Sequence, residues 1–436
     1  MFLQNAIKKR IDDDNPVKVA LIGAGKFGSM FLSQVPSTKG IEVLVIADLK
    51  PDNAIKACKN VGWSDDLINK TKFVDTGADA IKLNEVEVVI EATGFPAAGI
   101  EHARQAFQNG KHIIMVNVEA DVLAGAALAK EANSVGVVYS MAYGDQPALT
   151  AEIVEWARAS GFNVTSAGKG TRYQPIYHKS SPDTVWDYYG LTHEEARKAG
   201  MNPKMFNSFL DGTKSGLEMA AIANACDLEV PTNGLLFPPC GMDDLANILK
   251  PLEFGGLLEK NGQVEVVSSL ERDGRPVFKD LRWGVYAVLE APNDYAASCF
   301  KQYGMNTDDT GKYSAMYKPF HLIGMELNIS VFSAALLNQA TGQTKKFTGD
   351  VVSTTKKNLK KGEILDGEGG ATVWGKLVPS KLSLSMEALP IGLAHGIKLK
   401  NEIEENKIIT WNDVDFSSND PAISYRRKME KDFKKS

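Results

Sequence analysis

Three glycines and one aspartate carry the most specific chemistry in this sequence. Gly23-Ala24-Gly25-Lys26-Phe27-Gly28 has the spacing G-x-G-x-x-G, directly after the apolar run Val17-Lys18-Val19-Ala20-Leu21-Ile22 and before a helical stretch. Gly23 permits a tight turn, Gly25 lets a pyrophosphate come against the backbone, and Gly28 lets helix and strand pack closely. With Lys26 and Phe27 inside the loop, the free N–H groups and dipole of the helix start attract an anion. Asp48 ends the next apolar run twenty residues after Gly28, where a carboxylate can bond an adenosine ribose. A structural strand-to-helix turn explains the glycines alone but not this acid. Asp48 suits the free 2′-hydroxyl of NAD and Lys50 the 2′-phosphate of NADP, so both cofactors stay open. Thr93 and Gly94 follow a third apolar run and Asn117 and Glu119 a fourth; they read as approaching the nicotinamide half or as turns without a ligand.

Hydride exchange between carbonyl and alcohol needs a proton donor at the oxygen, usually Lys, His or Tyr. Lys169, between Gly168 and Gly170 at an expected strand end, and Lys214, at an expected helix start beside Asp211, are the catalytic candidates. The alternative for each lysine is a surface charge or an Asp–Lys pair holding a turn. Arg172 and His178, in a stretch rich in Tyr, Pro, His and Asn, suit a phosphate or carboxylate of the substrate. His321 reads as a substrate ligand or as a satisfied buried histidine. H-E-x-x-H, G-x-S-x-G and a lysine-bearing P-loop are absent, and no metal site is expected.

Elements able to position these groups follow from hydrophobic periodicity. A polar helical arm (residues 1–15) precedes strands at 17–22, 43–47, 86–90, 112–116 and 137–139, alternating with alanine-rich helices. That alternation predicts a parallel sheet wound on both faces, an α/β Rossmann domain over 1–147. A central α+β catalytic and dimerisation domain is expected over 148–345: a helix at 148–160, a strand at 164–167, an irregular stretch at 171–210, a helix at 211–225, a β-meander at 264–291 and one long apolar helix at 320–337. Short strands and glycine turns predict a small all-β domain over 346–436.

The runs IGAGKFG, VIADLKP, VIEATGFP, HIIMVNVEAD and VVYSMAYGDQP resemble the nucleotide-binding half of the homoserine dehydrogenase superfamily. VNVEAD, AYGDQP, SAGKG, MNP and FLDGTKSGLEMAAIANA resemble its deoxyxylulose-phosphate reductoisomerase-like branch, and GEILDGEGG, LPIGLAHG and WNDV a C-terminal SAF-type domain. The resemblance implies a catalytic lysine and aspartate in the central domain and a homodimer. Two stretches depart from it. Asn117 is followed by Val118-Glu119 rather than the usual lysine, and residues 171–201 do not follow the branch.

Composition bounds the partners. The chain has 436 residues, formal net charge −5, 44% hydrophobic and 24% charged residues, which fits a multidomain globular enzyme and argues against nucleic acid. The basic tail from Arg426 to Lys435 is interrupted by Glu430 and Asp432 and reads as a solvated helix end. Cys58, Cys226, Cys240 and Cys299 lack paired spacing, so neither zinc nor disulfides are expected and a reducing cytoplasm is. No membrane segment is expected. The expectation is an NAD(P)-dependent oxidoreductase acting on CH–OH groups of a small, sugar-phosphate or sugar-acid-like molecule, including a reductoisomerase. The alternatives are a simple hydroxy-acid dehydrogenase of homoserine dehydrogenase type and a non-catalytic nucleotide- or carbohydrate-binding sensor.

Overall fold

The computed structural model describes residues 3–434; Met1 and Phe2 of the expected arm and Lys435 of the basic tail lie outside the described residues. Two compact units are present, Met1–Glu152 with His321–Lys345, and Ile153–Phe320 with Lys346–Ser436.

In the first unit six parallel strands, β1 (Val17–Ile22), β2 (Ile41–Ala47), β3 (Lys72–Val74), β4 (Val88–Glu91), β5 (His112–Met115) and β6 (Tyr139–Met141), lie in the order β3-β2-β1-β4-β5-β6. Chain order reverses beside β1, which opens a crevice beyond the carboxyl ends of β1 and β4. Apolar side chains on both faces drive these strands inward: Val19, Leu21, Val88 and Ile90 on one face and Ala20 and Val89 on the other are fully buried. The helices that matter here are α1 (Gln4–Asp12), α2 (Lys26–Gln34), α3 (Pro96–Gln108), which starts on a proline whose missing N–H is harmless there, and α4 (Val118–Ser134).

The run from Phe320 to Leu337 is not one long helix. It breaks into turns, a short helix at Asn328–Phe332 and a π-helical turn at Ser333–Leu337. Gly324 takes φ +77°, with Met30 Cβ only 2.7 Å from where a side chain would start, so the backbone bends at a point only glycine tolerates.

A five-stranded sheet organises the second unit in the order β10-β11-β9-β7-β8, from β7 (Asn163–Thr171), β8 (Gln263–Ser268), β9 (Val285–Glu290), β10 (Asn306–Thr307) and β11 (Tyr313–Lys318). The expected meander is therefore corrected: β7 lies between β8 and β9, parallel to the first and antiparallel to the second. Gly168-Lys169-Gly170 is not a strand end either, because pairing with β8 runs on to Thr171. The two glycines are required inside the strand, since a Cβ at Gly168 would run into the carbonyl of Glu265 and one at Gly170 into that of Leu281.

Residues 171–210, expected to be irregular, hold helices at Val185–Tyr189, His193–Lys198 and Pro203–Leu210 around a small core of Tyr177, Val185, Trp186 and Leu210. Local caps explain the second and third. Thr192 and Glu195 form a reciprocal capping box, and the Asn202 side chain caps Pro203–Leu210. Helix α5 (Thr213–Cys226) is nearly all buried, packed on β7 and β8 and on the antiparallel pair of β12 (Gly349–Thr355) with β14 (Val373–Pro379). A three-stranded sheet of β13 (Ile364–Asp366), β15 (His395–Leu399) and β16 (Val414–Asp415) follows.

The basic tail is helix α6 (Pro421–Lys434), and its reading as a solvated end is corrected at Arg426. That guanidinium is fully buried against Asp350 (2.5 Å) and Glu430 (2.9 Å), with Ser383 also donating to Asp350 (2.6 Å). Two carboxylates compensate the one buried cation, so the helix end is held by charge as well as by apolar contact. Removing one partner of a buried pair strands the others. Arg426→Met is expected to cost about 3 kcal/mol or more, read as a lower denaturant midpoint; an unchanged midpoint would show that the pair contributes nothing net.

Candidate active site

The glycine loop is built as its spacing requires. Gly23 takes φ +96°, and a Cβ on it would lie 2.7 Å from the carbonyl oxygen of Ala92. A Cβ on Gly28 would run into the carbonyl of Gly23, whereas one on Gly25 would meet nothing within 4 Å. Gly23 and Gly28 thus serve packing, while Gly25, at the N-cap of α2, opens onto free space where an anion can reach the backbone. Lys26 and Phe27 begin α2, with Phe27 partly packed on the core. The Asp48 carboxylate accepts from the N–H of Ala24 (3.2 Å) and of Lys50 (3.0 Å), which fixes it at the end of β2 beside the loop. The chemistry of these groups fits a dinucleotide: Gly25 offers cleared backbone for an anion, and Asp48 a fixed carboxylate able to accept from a hydroxyl.

At the end of β4, the Thr93 hydroxyl donates to Glu91 (2.5 Å) and Gly94 takes φ +68°. Asn117 caps α4 by accepting from the N–H of Ala120 (3.0 Å) and donates to the carbonyl of Phe95 (3.0 Å), tying the 93–95 loop to the helix start. Glu119 is buried in the first turn of α4. Sequence reasoning passed over Glu91. Its side chain is fully buried, 3.2 Å from His102 Nδ1, and one oxygen has no hydrogen-bond partner. An acid closing an otherwise apolar strand was the available signal.

In the second unit Lys169 and Glu218 form a buried ion pair from β7 to α5. Lys214 lies one turn before Glu218 on α5, at the spacing that puts both on one helix face. Glu218 is the acid that pairs with Lys169, an ion pair between strand and helix that residue spacing does not reveal. Asp211 is engaged elsewhere. Its carboxylate takes Lys356 Nζ (2.7 Å) and the N–H of Thr213 (2.9 Å). Lys356 also donates to the carbonyls of Ser180 and Gly370, each 2.7 Å away.

The Asp211 carbonyl lies 2.7 Å from His178 Nδ1, and because a carbonyl can only accept, that nitrogen carries the proton. Nε2 then accepts from the Tyr173 hydroxyl (3.0 Å). Burial, seconded by Lys356 and Lys376, pushes the His178 pKa below its ordinary 6.5 and so favours the neutral ring, against the opposing effect of Asp211. His178 stacks on Trp374 at 4.0 Å, and Tyr173 on Phe237 at 4.0 Å. His178, Trp374, Phe237, Lys376 and the start of α5 line a pocket of roughly 210 Å³. Arg172 Nε is buried with no hydrogen-bond partner. His321 belongs to the first unit and the other two expected substrate ligands to the second.

Glu265 on β8 lies behind the pocket wall. Fully buried, it accepts from the N–H groups of Leu236 (3.1 Å) and Phe237 (3.3 Å), the latter at φ +51°. Burial raises its pKa to about 7 against the opposing pull of these donors.

Fold and site define a class: a Rossmann nucleotide-binding sheet joined to an oxidoreductase catalytic domain. Residues 23–142 match the homoserine dehydrogenase NAD-binding domain family, and residues 144–327 match the catalytic domain of oxidoreductase DRL. No curated protein sequence matches the chain. Among solved structures it is similar to a 3-ketoreductase from Actinomadura kijaniata in complex with NADP (15% identity, TM-score 0.27, 37% of this chain and 50% of that one). Biliverdin reductase from Synechocystis in complex with NADP+ gives 17%, 0.27, 37% and 48%, and levoglucosan dehydrogenase in complex with NADH gives 17%, 0.33, 63% and 64%. The chain spans about half the length of the first two. Among the described residues no helix is long and apolar enough to cross a membrane, and no cluster of three or more His, Cys, Asp or Glu could hold a metal.

Two outcomes are expected. Gly25→Val places its side chain in open space, so the melting temperature stays near wild type while NAD(P) affinity by calorimetry is lost; retained affinity would remove the loop from the site. Glu265 is held protonated in the folded chain up to about pH 7, whereas its ordinary value is 4.5, so folding binds a proton between these limits and stability falls as pH rises through that window. In Glu265→Gln that component disappears, so melting temperature falls less from pH 4.5 to 7 than in wild type; identical slopes would refute the assignment.

Proposed function

We propose that the chain is an NAD(P)-dependent oxidoreductase that interconverts an alcohol and a carbonyl on a small polar substrate of sugar-phosphate or sugar-acid type. The carrying observation is the cleared backbone at Gly25 beside a fixed Asp48, within a stretch that matches an NAD-binding family and is followed by one that matches an oxidoreductase catalytic family. NAD(P), when bound, supplies or accepts the hydride.

The remaining chemistry falls to this chain's residues. Gly23, Gly25, Lys26, Phe27 and Gly28 hold the pyrophosphate and Asp48 a ribose, with Thr93, Gly94, Asn117 and Glu119 shaping the nicotinamide end. Lys169 donates the proton that a carbonyl oxygen takes up on reduction, and removes it in the reverse direction. Glu218 holds the Lys169 ammonium in place, and Lys214 adds positive charge beside the same acid. Asp211 acts through Lys356 and His178, which makes it a positioning residue. Arg172 and His178 bind the substrate's polar groups, as does His321. A cytoplasmic homodimer with an SAF-type C-terminal domain completes the proposal. The rearrangement implied by the resemblance to reductoisomerases would leave an altered carbon skeleton in the product, which NMR of the product reads directly.

Lys169→Met is expected to lower kcat by about two orders of magnitude, as loss of a group that stabilises a developing oxyanion does. Nucleotide affinity should stay close to wild type. Near-wild-type kcat in both Lys169→Met and Lys214→Met would refute the assignment of the proton donor, and a chain that binds NAD(P) without turnover across a broad panel would be a sensor.

A further inference from the structure

The pocket of roughly 210 Å³ in the second unit has features beyond those hydride transfer requires. One wall is flat and aromatic, the His178 ring stacked on Trp374. Gly212, Gly216, Gly234 and Gly375 also line the pocket and contribute backbone without side-chain bulk. Gly212 (φ +91°) and Gly234 (φ +90°) are needed for a further reason: a Cβ would lie 3.1 Å from His178 Cε1 in the first case and 3.1 Å from Lys376 Cε in the second. The glycines therefore let the imidazole and the lysine stem close over the pocket.

Charge around the pocket is positive. Lys376 lines it and has no ion-pair partner among the described residues. The nearby carboxylates are already engaged, Asp211 with Lys356 and Glu265 with the N–H groups of Leu236 and Phe237. Lys356 and Lys376 both disfavour protonation of His178, so the cationic field reaches the imidazole. A partly buried cation without a counter-ion, beside backbone cleared of side chains, is suited to an anion supplied from outside.

We propose that this pocket binds a small oxyanion, a phosphate or carboxylate group of the substrate, with Lys376 as its counter-ion and the Trp374–His178 stack as its wall. The assignment rests on reading the second unit as the substrate-binding body. It gives the C-terminal segment, which contributes both Trp374 and Lys376, a recognition role.

The test uses the full chain labelled with 5-fluorotryptophan. Of the six tryptophans, the 19F resonance missing from Trp374→Phe is that of Trp374. Inorganic phosphate and acetate are titrated separately, and the anion that shifts this resonance saturably at lower concentration names the substrate's charged group. Lys376→Met should weaken that binding by about tenfold or more, while Lys376→Arg stays within a few-fold of wild type. A resonance unmoved by both anions in the wild-type chain, or a midpoint unchanged in Lys376→Met, overturns the proposal. NAD(P) affinity measured on the same samples keeps the two readings apart: its absence would count against the cofactor assignment, and the Trp374 titration would still decide the pocket.

Discussion

The Lys356 ammonium is the contact on which the geometry of the second unit most depends. Taking an ammonium out of water costs several kcal/mol, and here three oxygens at 2.7 Å offset it: the Asp211 carboxylate and the carbonyls of Ser180 and Gly370. Those oxygens come from three stretches of chain far apart in sequence. A single charge therefore ties the C-terminal segment to the turn before α5 and to the end of the stretch carrying His178. Asp211 passes the constraint on, since its carbonyl takes the Nδ1 proton of His178 and its carboxylate caps Thr213 at the start of α5.

Close approach of backbone is the second constraint. Gly168 and Gly170 let the neighbouring chain lie against β7, so Lys169, on the alternate face, is delivered to Glu218 on α5. Gly28 does the same for α2 against the first turn of the Rossmann loop. In each place a glycine is needed for what the neighbouring backbone does. Gly25, Gly212 and Gly234 differ in that they clear or border space that a ligand can enter.

Buried carboxylates show where stability is given up. Glu265 has its pKa raised to about 7 and Asp121 to about 6, both chiefly by burial. Each is retained with specific donors, Glu265 with the 236–237 backbone and Asp121 with Tyr139 (2.8 Å) and Thr344 (2.9 Å). Glu265 holds a strained turn at Phe237, a residue of the pocket wall whose ring is backed by Tyr173, so its cost is tied to the shape of the site.

The Rossmann half was legible because its signals are local. A β-branched run, three glycines at fixed spacing and an acid at the next strand end form a pattern that can be read along the chain, even though Asp48 bonds Ala24 and Gly23 packs on Ala92. The candidate site in the second unit was only partly legible. Lys169, Asp211 and His178 stood out by residue type, but a charge's role depends on its partner. Glu218, Lys356, Trp374 and Lys376 reach that site from α5, β14 and the chain just after β12, contacts that no spacing in the sequence encodes. The same reason explains Arg426, which reads as solvated in a basic tail and is buried once Asp350 is brought beside it. Local periodicity and turn chemistry determined the strands and the glycine loop of the Rossmann half; tertiary structure alone decided which charges are paired, how the 320–337 run breaks and where β7 lies in its sheet.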